Sequence, residues 1–389
     1  MALNTTSVEH VRRMVHDRWG SLVDEVNEAA AERDESGSPV PVRFYRAAGE
    51  LGLTGYTMPR QFGGEGGGPF VWGLIVEHLG YLCEDTAFPL VMSFQPEIAK
   101  IVIEYCAEPA VERYAVPLGR GERIGGLAYT EDADAFSMSG TTIVAHDGGL
   151  VVRGRKSFSG PARVSDHFIT FASDGTGDLA GVLVDAAAPG VEVTPVDTIG
   201  YRSIGGGSVT FQEVVVPDVQ IVSRTDGLTP LNQLLNAARI TIACGPLGRA
   251  QALFEHCVER LNQTVRQGAP LAEMPNVQAR VGRMYVALES ARAVLYQALI
   301  RMDEGSVDPV FDPSISVAKY LVTEKVNFVV DCAFRLMGGY SYYGDRRFGQ
   351  ALRDFKGGML AAGTQDLLEI NLGALALAGR PLRRKGAQS

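Results

Sequence analysis

The sequence predicts an α+β fold in three consecutive parts: an N-terminal helical domain over 1–123, a central β-barrel-like domain over 124–227 and a C-terminal four-helix bundle over 228–389. Three changes of hydrophobic period predict it. Apolar residues recur every three or four positions from Ser7 to about Gly119, alternate between roughly Ile124 and Pro217, and return to helical spacing after Leu228.

In the first part, Val8, Val11 and Val15, then Leu22, Val23 and Val26, keep the helical step with polar residues between them. The stretch from Gly55 to Gly68 interrupts it, because Pro59 and five glycines within ten residues cannot propagate a helix. It reads either as a helix connector or as a loop facing a ligand. In the second part, Leu150–Arg153, His167–Phe171 and Val209–Val216 are short runs bounded by Gly, Asp and Pro, the pattern of strands. In the third, Ile240–Leu261, Met284–Met302, Ile315–Met337 and Met359–Ala378 are four successive helical segments of about twenty residues, as in an antiparallel bundle.

Helices, then strands, then helices is an order that argues against a doubly wound nucleotide fold, in which the two alternate. Gly205-Gly206-Gly207 lacks the Gly-x-Gly-x-x-Gly register and leads into a strand, so it is a flexible turn and not a phosphate loop.

The 389 residues are 46% hydrophobic and carry 36 basic against 45 acidic side chains, a net charge of −9 that disfavours nucleic acid as a partner. No apolar run approaches the roughly 20 residues of a membrane span, and Met1 to Trp19 mixes charges of both signs, so the expected location is the cytoplasm. Five cysteines, odd in number and far apart, are expected to be apolar filler, and six scattered histidines predict no metal site.

Several short motifs occur in a defined order: Pro59-Arg60-Gln61-Phe62-Gly63-Gly64, Ala128-Tyr129-Thr130-Glu131, Gly154-Arg155-Lys156-Ser157-Phe158-Ser159, Gly200-Tyr201-Arg202 followed by Phe211–Pro217, Arg239, Gly338-Gly339-Tyr340, Arg353-Asp354 and Gly363-Thr364. Each alone is weak. Together they resemble the acyl-CoA dehydrogenase family over nearly the whole chain. The resemblance implies FAD held between the β domain and the bundle, a homodimer or homotetramer, and an acyl thioester on coenzyme A or a carrier protein as substrate. In that chemistry a carboxylate removes the α-proton while the β-hydrogen leaves as hydride.

Carried over by position, Thr130 and the backbone around Tyr129 and Ser159 would hydrogen-bond the flavin edge, and Phe158 would pack on the ring where the family has Trp. Gly338, Gly339, Thr364 and Asp366 would belong to the cofactor site. Arg239 would order the floor of the acyl cavity, and Phe136 would reshape the thioester entrance where the family has Gly-Ser-Asp. Arg353 and Asp354 are expected to be structural. So is the tyrosine-rich turn with Tyr340, Tyr342 and Tyr343.

The catalytic glutamate is missing. Its common place, before Gly-Thr, is Ala362, and its minority place, before the bundle arginine, is Ala238. Asp366, taken as one helical turn beyond Ala362, is a weak substitute; Asp132 and Asp134 read better as solvated loop acids. An arginine that reaches the neighbouring subunit's FAD diphosphate is replaced by Thr264, and Arg335, in place of a glutamine, is expected to compensate. The leading expectation is a flavoprotein with an altered base and an unidentified electron acceptor. Two alternatives are an FAD-independent protein with a scaffold or non-redox role, and a flavin monooxygenase on the same fold.

Overall fold

The computed structural model describes residues 5–132, 140–146 and 149–379. Helix α1 (Thr5–Asn27) buries Val11, Val15, Trp19, Leu22, Val23 and Val26 along one stripe, as the spacing predicts. It is followed by α2 (Ala30–Ser36), α3 (Val42–Glu50), α4 (Pro69–Leu82) and α5 (Ala87–Tyr105), then a short helical run over 108–119. The glycine-rich stretch before α4 folds tightly on itself. A Cβ at Gly64 would lie 2.2 Å from the Met58 carbonyl oxygen, and one at Gly67 would lie 2.1 Å from the Tyr56 ring.

Strands β1 (Gly125–Ala128), β2 (Thr142–His146), β3 (Gly149–Ser159), β4 (His167–Ser173), β5 (Leu179–Asp185), β6 (Val191–Pro195), β7 (Gly207–Pro217) and β8 (Ile221–Ser223) form one sheet. Its order is β6-β7-β3-β2-β4-β5-β8, with β1 alongside β4 in parallel. Gly205, at φ 73°, turns the chain into β7, so the triple glycine serves a strand entry.

After the sheet come α6 (Leu228–Gln263), α7 (Pro275–Asp303), α8 (Pro313–Met337), a short turn of helix at Gly339–Tyr343, α9 (Arg346–Leu360) and α10 (Gln365–Leu377). Asp312 caps α8, accepting from the amides of Ser314 and Ile315, and Asp345 caps α9. The expected continuous segment Met359–Ala378 is in fact two elements. Ala362 and Gly363 both adopt positive φ, 54° and 97°, and Thr364 opens a new helix by accepting from the Leu367 amide. Periodicity misses such a break because the apolar spacing runs on through it.

The largest core cluster joins α1, α4 and α5 to the bundle helices α6 to α8, so the two helical parts share one interior. Helices α4 and α6 touch backbone to backbone, since a Cβ at Gly80 would lie 2.1 Å from the Gly245 carbonyl oxygen. A second cluster joins α5 and the start of α6 to the sheet, and a third fills the sheet's other face.

Candidate functional site

Beyond β1 the chain stays extended long enough for Thr130 to form an antiparallel bridge with Phe158, and the Thr130 carbonyl accepts from the Ser157 amide at 2.8 Å. Phe158 is 40% exposed, unusual for a phenylalanine on a central strand. Its ring lies over Gly206, where a Cβ would come within 3.0 Å. Thr130 is exposed beside it, whereas the buried Ser159 hydroxyl donates to the Leu127 carbonyl at 2.8 Å and ties β3 to β1.

Beneath this edge is an ion pair with both side chains inside. Lys156 Nζ donates to Glu131 Oε1 at 2.7 Å, and Glu131 Oε2 accepts from the Gly140 amide at 2.8 Å. Glu131 therefore clamps both ends of the segment that follows Thr130. Phe136 and Asp134 lie outside the described residues. Asp132 is exposed and pairs with Arg155 at 3.1 Å, as a solvated loop acid does.

Facing the sheet edge, Tyr129 is partly buried against the cluster that contains Leu234 of α6. Burial raises its hydroxyl pKa, and the nearby Arg239 guanidinium opposes that rise. Arg239 is itself buried; its Nε donates to the Ala362 carbonyl at 3.0 Å and its Nη1 to Asn236 Oδ1 at 2.7 Å. Burial lowers its pKa to about 10. The two alanines at the expected glutamate positions thus converge on one side chain: Ala238 precedes Arg239 in α6, and Ala362 is bound to it. Ala362 holds its left-handed backbone at a cost of roughly 1–2 kcal/mol.

Lys319 secures the same loop from behind. It is fully buried on α8 and donates from Nζ to the Gly363 carbonyl at 2.8 Å and the Met359 carbonyl at 3.3 Å. Burial, and then the charge of Arg239, bring its pKa down to about 8. Sequence reasoning missed it, although a lone cation between the core residues Ile315, Ala318 and Val322 was a visible signal.

The remaining expected residues are spread more widely. Thr364 spends its hydroxyl on capping α10, and Asp366 stands exposed in that helix's first turn, where its charge acts on Tyr320 together with those of Glu369 and Glu324. The helical-face argument that linked Asp366 to Ala362 does not hold, because no helix spans the two. Arg335, Gly338 and Gly339 sit near the end of α8, with Arg335 sixteen positions, about 24 Å of helix, beyond Lys319. Arg335 is exposed and pairs with Asp331 one turn back at 3.1 Å.

Arg353 and Asp354 diverge as adjacent helical residues must. Arg353 pairs with Asp34 at 2.6 Å. Asp354 is buried; Oδ2 accepts from the Thr86 hydroxyl and Oδ1 from the Tyr201 amide at 2.6 Å, and burial raises its pKa to about 6. All five cysteines are free thiols. Among the described residues no metal-binding cluster occurs, and no helix is long and apolar enough to cross a membrane.

Three family models match in chain order: the acyl-CoA dehydrogenase N-terminal domain over residues 9–122, the middle domain over 126–214 and the C-terminal domain over 225–377. The chain is 27% identical to the short-chain-specific acyl-CoA dehydrogenase of Clostridium acetobutylicum, covering 94% of this chain and 97% of that protein. It is also 27% identical to L-prolyl-(peptidyl-carrier protein) dehydrogenase of Pseudomonas fluorescens, covering 84% and 87%. Among solved structures, butyryl-CoA dehydrogenase from Megasphaera elsdenii superposes with a TM-score of 0.88 at 24% identity, over 97% of this chain and 100% of that one. PigA with FAD and proline gives 0.88 at 19% identity, over 97% and 99%. Matched in sequence almost from end to end, the chain belongs to the acyl-CoA dehydrogenase family.

Proposed function

We propose that the chain is an FAD-dependent oxidoreductase acting on the CH–CH bond next to the carbonyl of an acyl thioester, on coenzyme A or a carrier protein. The observation that carries this reading is the Thr130–Phe158 edge: an exposed aromatic ring over a glycine, beside an exposed threonine that makes no side-chain hydrogen bond among the described residues, on the strand whose Tyr129 lies near Arg239. A planar ring system fits there. Phe158 would support its face, while Thr130 and the backbone of Tyr129 and Ser159 would meet its edge. When bound, FAD supplies the hydride acceptor.

With Ala238 and Ala362 in the glutamate places, Arg239 offers no proton acceptor, because a guanidinium stays protonated. Loss of a positioned base typically costs about 10²- to 10⁴-fold in rate. The reading therefore favours a thioester whose α-position is already acidic, or a variant of simple desaturation.

The chain would work as a homo-oligomer. Along α10 only Leu368 is buried, while Ile370 and Leu377 stand in solvent, and Leu360 is exposed beside them at the end of α9. Arg335, Gly338 and Gly339 would then serve the neighbouring subunit's FAD.

The test is anaerobic mixing of the FAD-loaded protein with a panel of acyl thioesters. Bleaching of the flavin by at least one supports the reading, and failure to retain flavin after reconstitution sinks it.

A further inference from the structure

Asp354 is fully buried on α9 and forms no ion pair with any described residue, while the neighbouring Arg353 turns away to Asp34. A buried carboxylate without a cation depends on hydrogen bonds to offset its desolvation. Its bonds reach two other parts of the chain: Oδ1 accepts from the Tyr201 amide at 2.6 Å, and Oδ2 accepts from the Thr86 hydroxyl at the start of α5. One carboxylate thus joins the bundle, the sheet and the N-terminal helices.

Tyr201 belongs to a loop, 200–206, that is pressed onto α9. A Cβ at Gly200 would lie 2.5 Å from the Arg353 carbonyl oxygen, and one at Gly357 would lie 3.0 Å from the Tyr201 ring. Tyr201 takes a left-handed backbone, φ 48°, which a residue with a Cβ adopts only where its surroundings hold it. Two residues on, the Ser203 hydroxyl donates to Asp85 Oδ1 at 2.6 Å, and the Ser203 carbonyl accepts from the Val40 amide at 2.9 Å. The loop so fixed runs into β7 at Gly207, which pairs with Ser159 of β3.

Between the Lys156–Val209 pair and the Ser159–Gly207 pair the register shifts: β3 places two residues, Ser157 and Phe158, against Ser208 alone on β7. That is a bulge, which re-aims the side chains at its own position, and Phe158 is the side chain that stands exposed there. The loop supplies its floor. A Cβ at Gly206 would lie 3.0 Å from the Phe158 ring, and one at Gly160 would lie 2.8 Å from Ile204 Cδ1. Where the loop delivers Gly206 and Gly207 therefore sets where the Phe158 ring lies.

We infer that Asp354 is a positioning residue for the flavin platform, setting the Phe158 ring through the loop from Tyr201 to Gly206. This assignment rests on the FAD reading of the Thr130–Phe158 edge and adds to it the group that holds the platform in register with the bundle. Asp354 itself touches neither cofactor nor substrate in this arrangement; it acts through the backbone that it fixes.

The test combines hydrogen exchange of the full flavin-free chain with FAD titration. Asp354→Ala removes the acceptor of the Tyr201 amide, so protection should fall about tenfold both in 200–207 and in 157–160 while β4 and β5 keep theirs, and FAD affinity should fall about tenfold. Asp354→Asn keeps an oxygen for the Tyr201 amide and an NH₂ for the Thr86 oxygen, and should bring both readouts back to within about threefold of wild type. A residue that only adds stability would lower Tm in the alanine variant and leave FAD affinity, measured well below Tm, unchanged. Wild-type FAD affinity in folded Asp354→Ala, unchanged exchange over 157–160, or an asparagine variant as impaired as the alanine one overturns the assignment. Should Asp354→Ala not fold, Gly206→Ala tests the loop from its other end, because the added methyl must move the Phe158 ring; an unchanged FAD affinity and flavin spectrum rejects the inference. Failure of the wild type to take up FAD overturns the flavin reading, and the exchange pattern then decides by itself whether Asp354 and Phe158 are coupled.

Discussion

Arg239 donates from Nε to the carbonyl oxygen of Ala362 at 3.0 Å, joining in one contact the two places where a catalytic glutamate is expected and an alanine stands. On the proposed reading, the residues around a base are held in place while neither position carries a carboxylate. Because both residues carry a Cβ, Ala362→Glu adds a carboxylate with little further backbone strain at φ 54°. The expected outcome is a gain of about 10²- to 10⁴-fold in the rate at which a plain acyl-CoA bleaches the flavin anaerobically. A stopped-flow trace no faster than wild type would show that the missing carboxylate is not what limits this site.

Lys319 gives the loop a pH signature. Its pKa is about 8 when folded against an ordinary 10.5, so above pH 8 the unfolded chain binds more protons than the folded one, and stability rises with pH through that window. Below pH 8 both states are protonated and the penalty is constant. Relative to Lys319→Met, the wild type should gain roughly 3 kcal/mol between pH 8 and 10.5. Urea midpoints across that range check it, and parallel curves for the two proteins would contradict it.

The three-part fold was legible because hydrophobic period is a local property, readable within each segment as helical spacing or as short apolar strand runs. The contact of Arg239 with Ala362 was not legible, since it joins residues 123 positions apart. Asp366 shows the opposite failure. Ala362 and Asp366 are four apart in a run that looks helical, yet two positive-φ residues and the Thr364 cap separate them. Backbone handedness at a non-glycine residue leaves no trace in hydrophobic spacing.

The buried pair of Lys156 and Glu131 should behave as a unit. Lys156→Met strands a buried carboxylate and is expected to cost about 3–5 kcal/mol. It also frees one end of the clamp on the Gly140 amide, so flavin retention should fall with stability. Adding Glu131→Gln to Lys156→Met removes the stranded charge and should recover part of the loss. A urea-unfolding double-mutant cycle measures the coupling, and additive losses would mean that the two residues act separately.

Helix α10 supplies the test of assembly. Ile370 and Leu377 are 62% and 91% exposed on a helix that buries only Leu368, so in an isolated chain most of its apolar surface stays wet. Covering such surface is worth about 25 cal/mol per Å², and a second copy of the chain is the occupant proposed for it. Ile370→Glu with Leu377→Glu should then bring the light-scattering mass down to the 41.7 kDa of one chain. If Arg335 serves a neighbour's cofactor, dissociation should also release FAD, because the guanidinium leaves with its subunit. Arg335→Ala in the intact oligomer should weaken FAD binding about tenfold without changing the mass, the loss of one charge-assisted contact. An oligomer that holds FAD equally well without Arg335 would assign the diphosphate to other groups and leave Arg335 with its Asp331 pair alone.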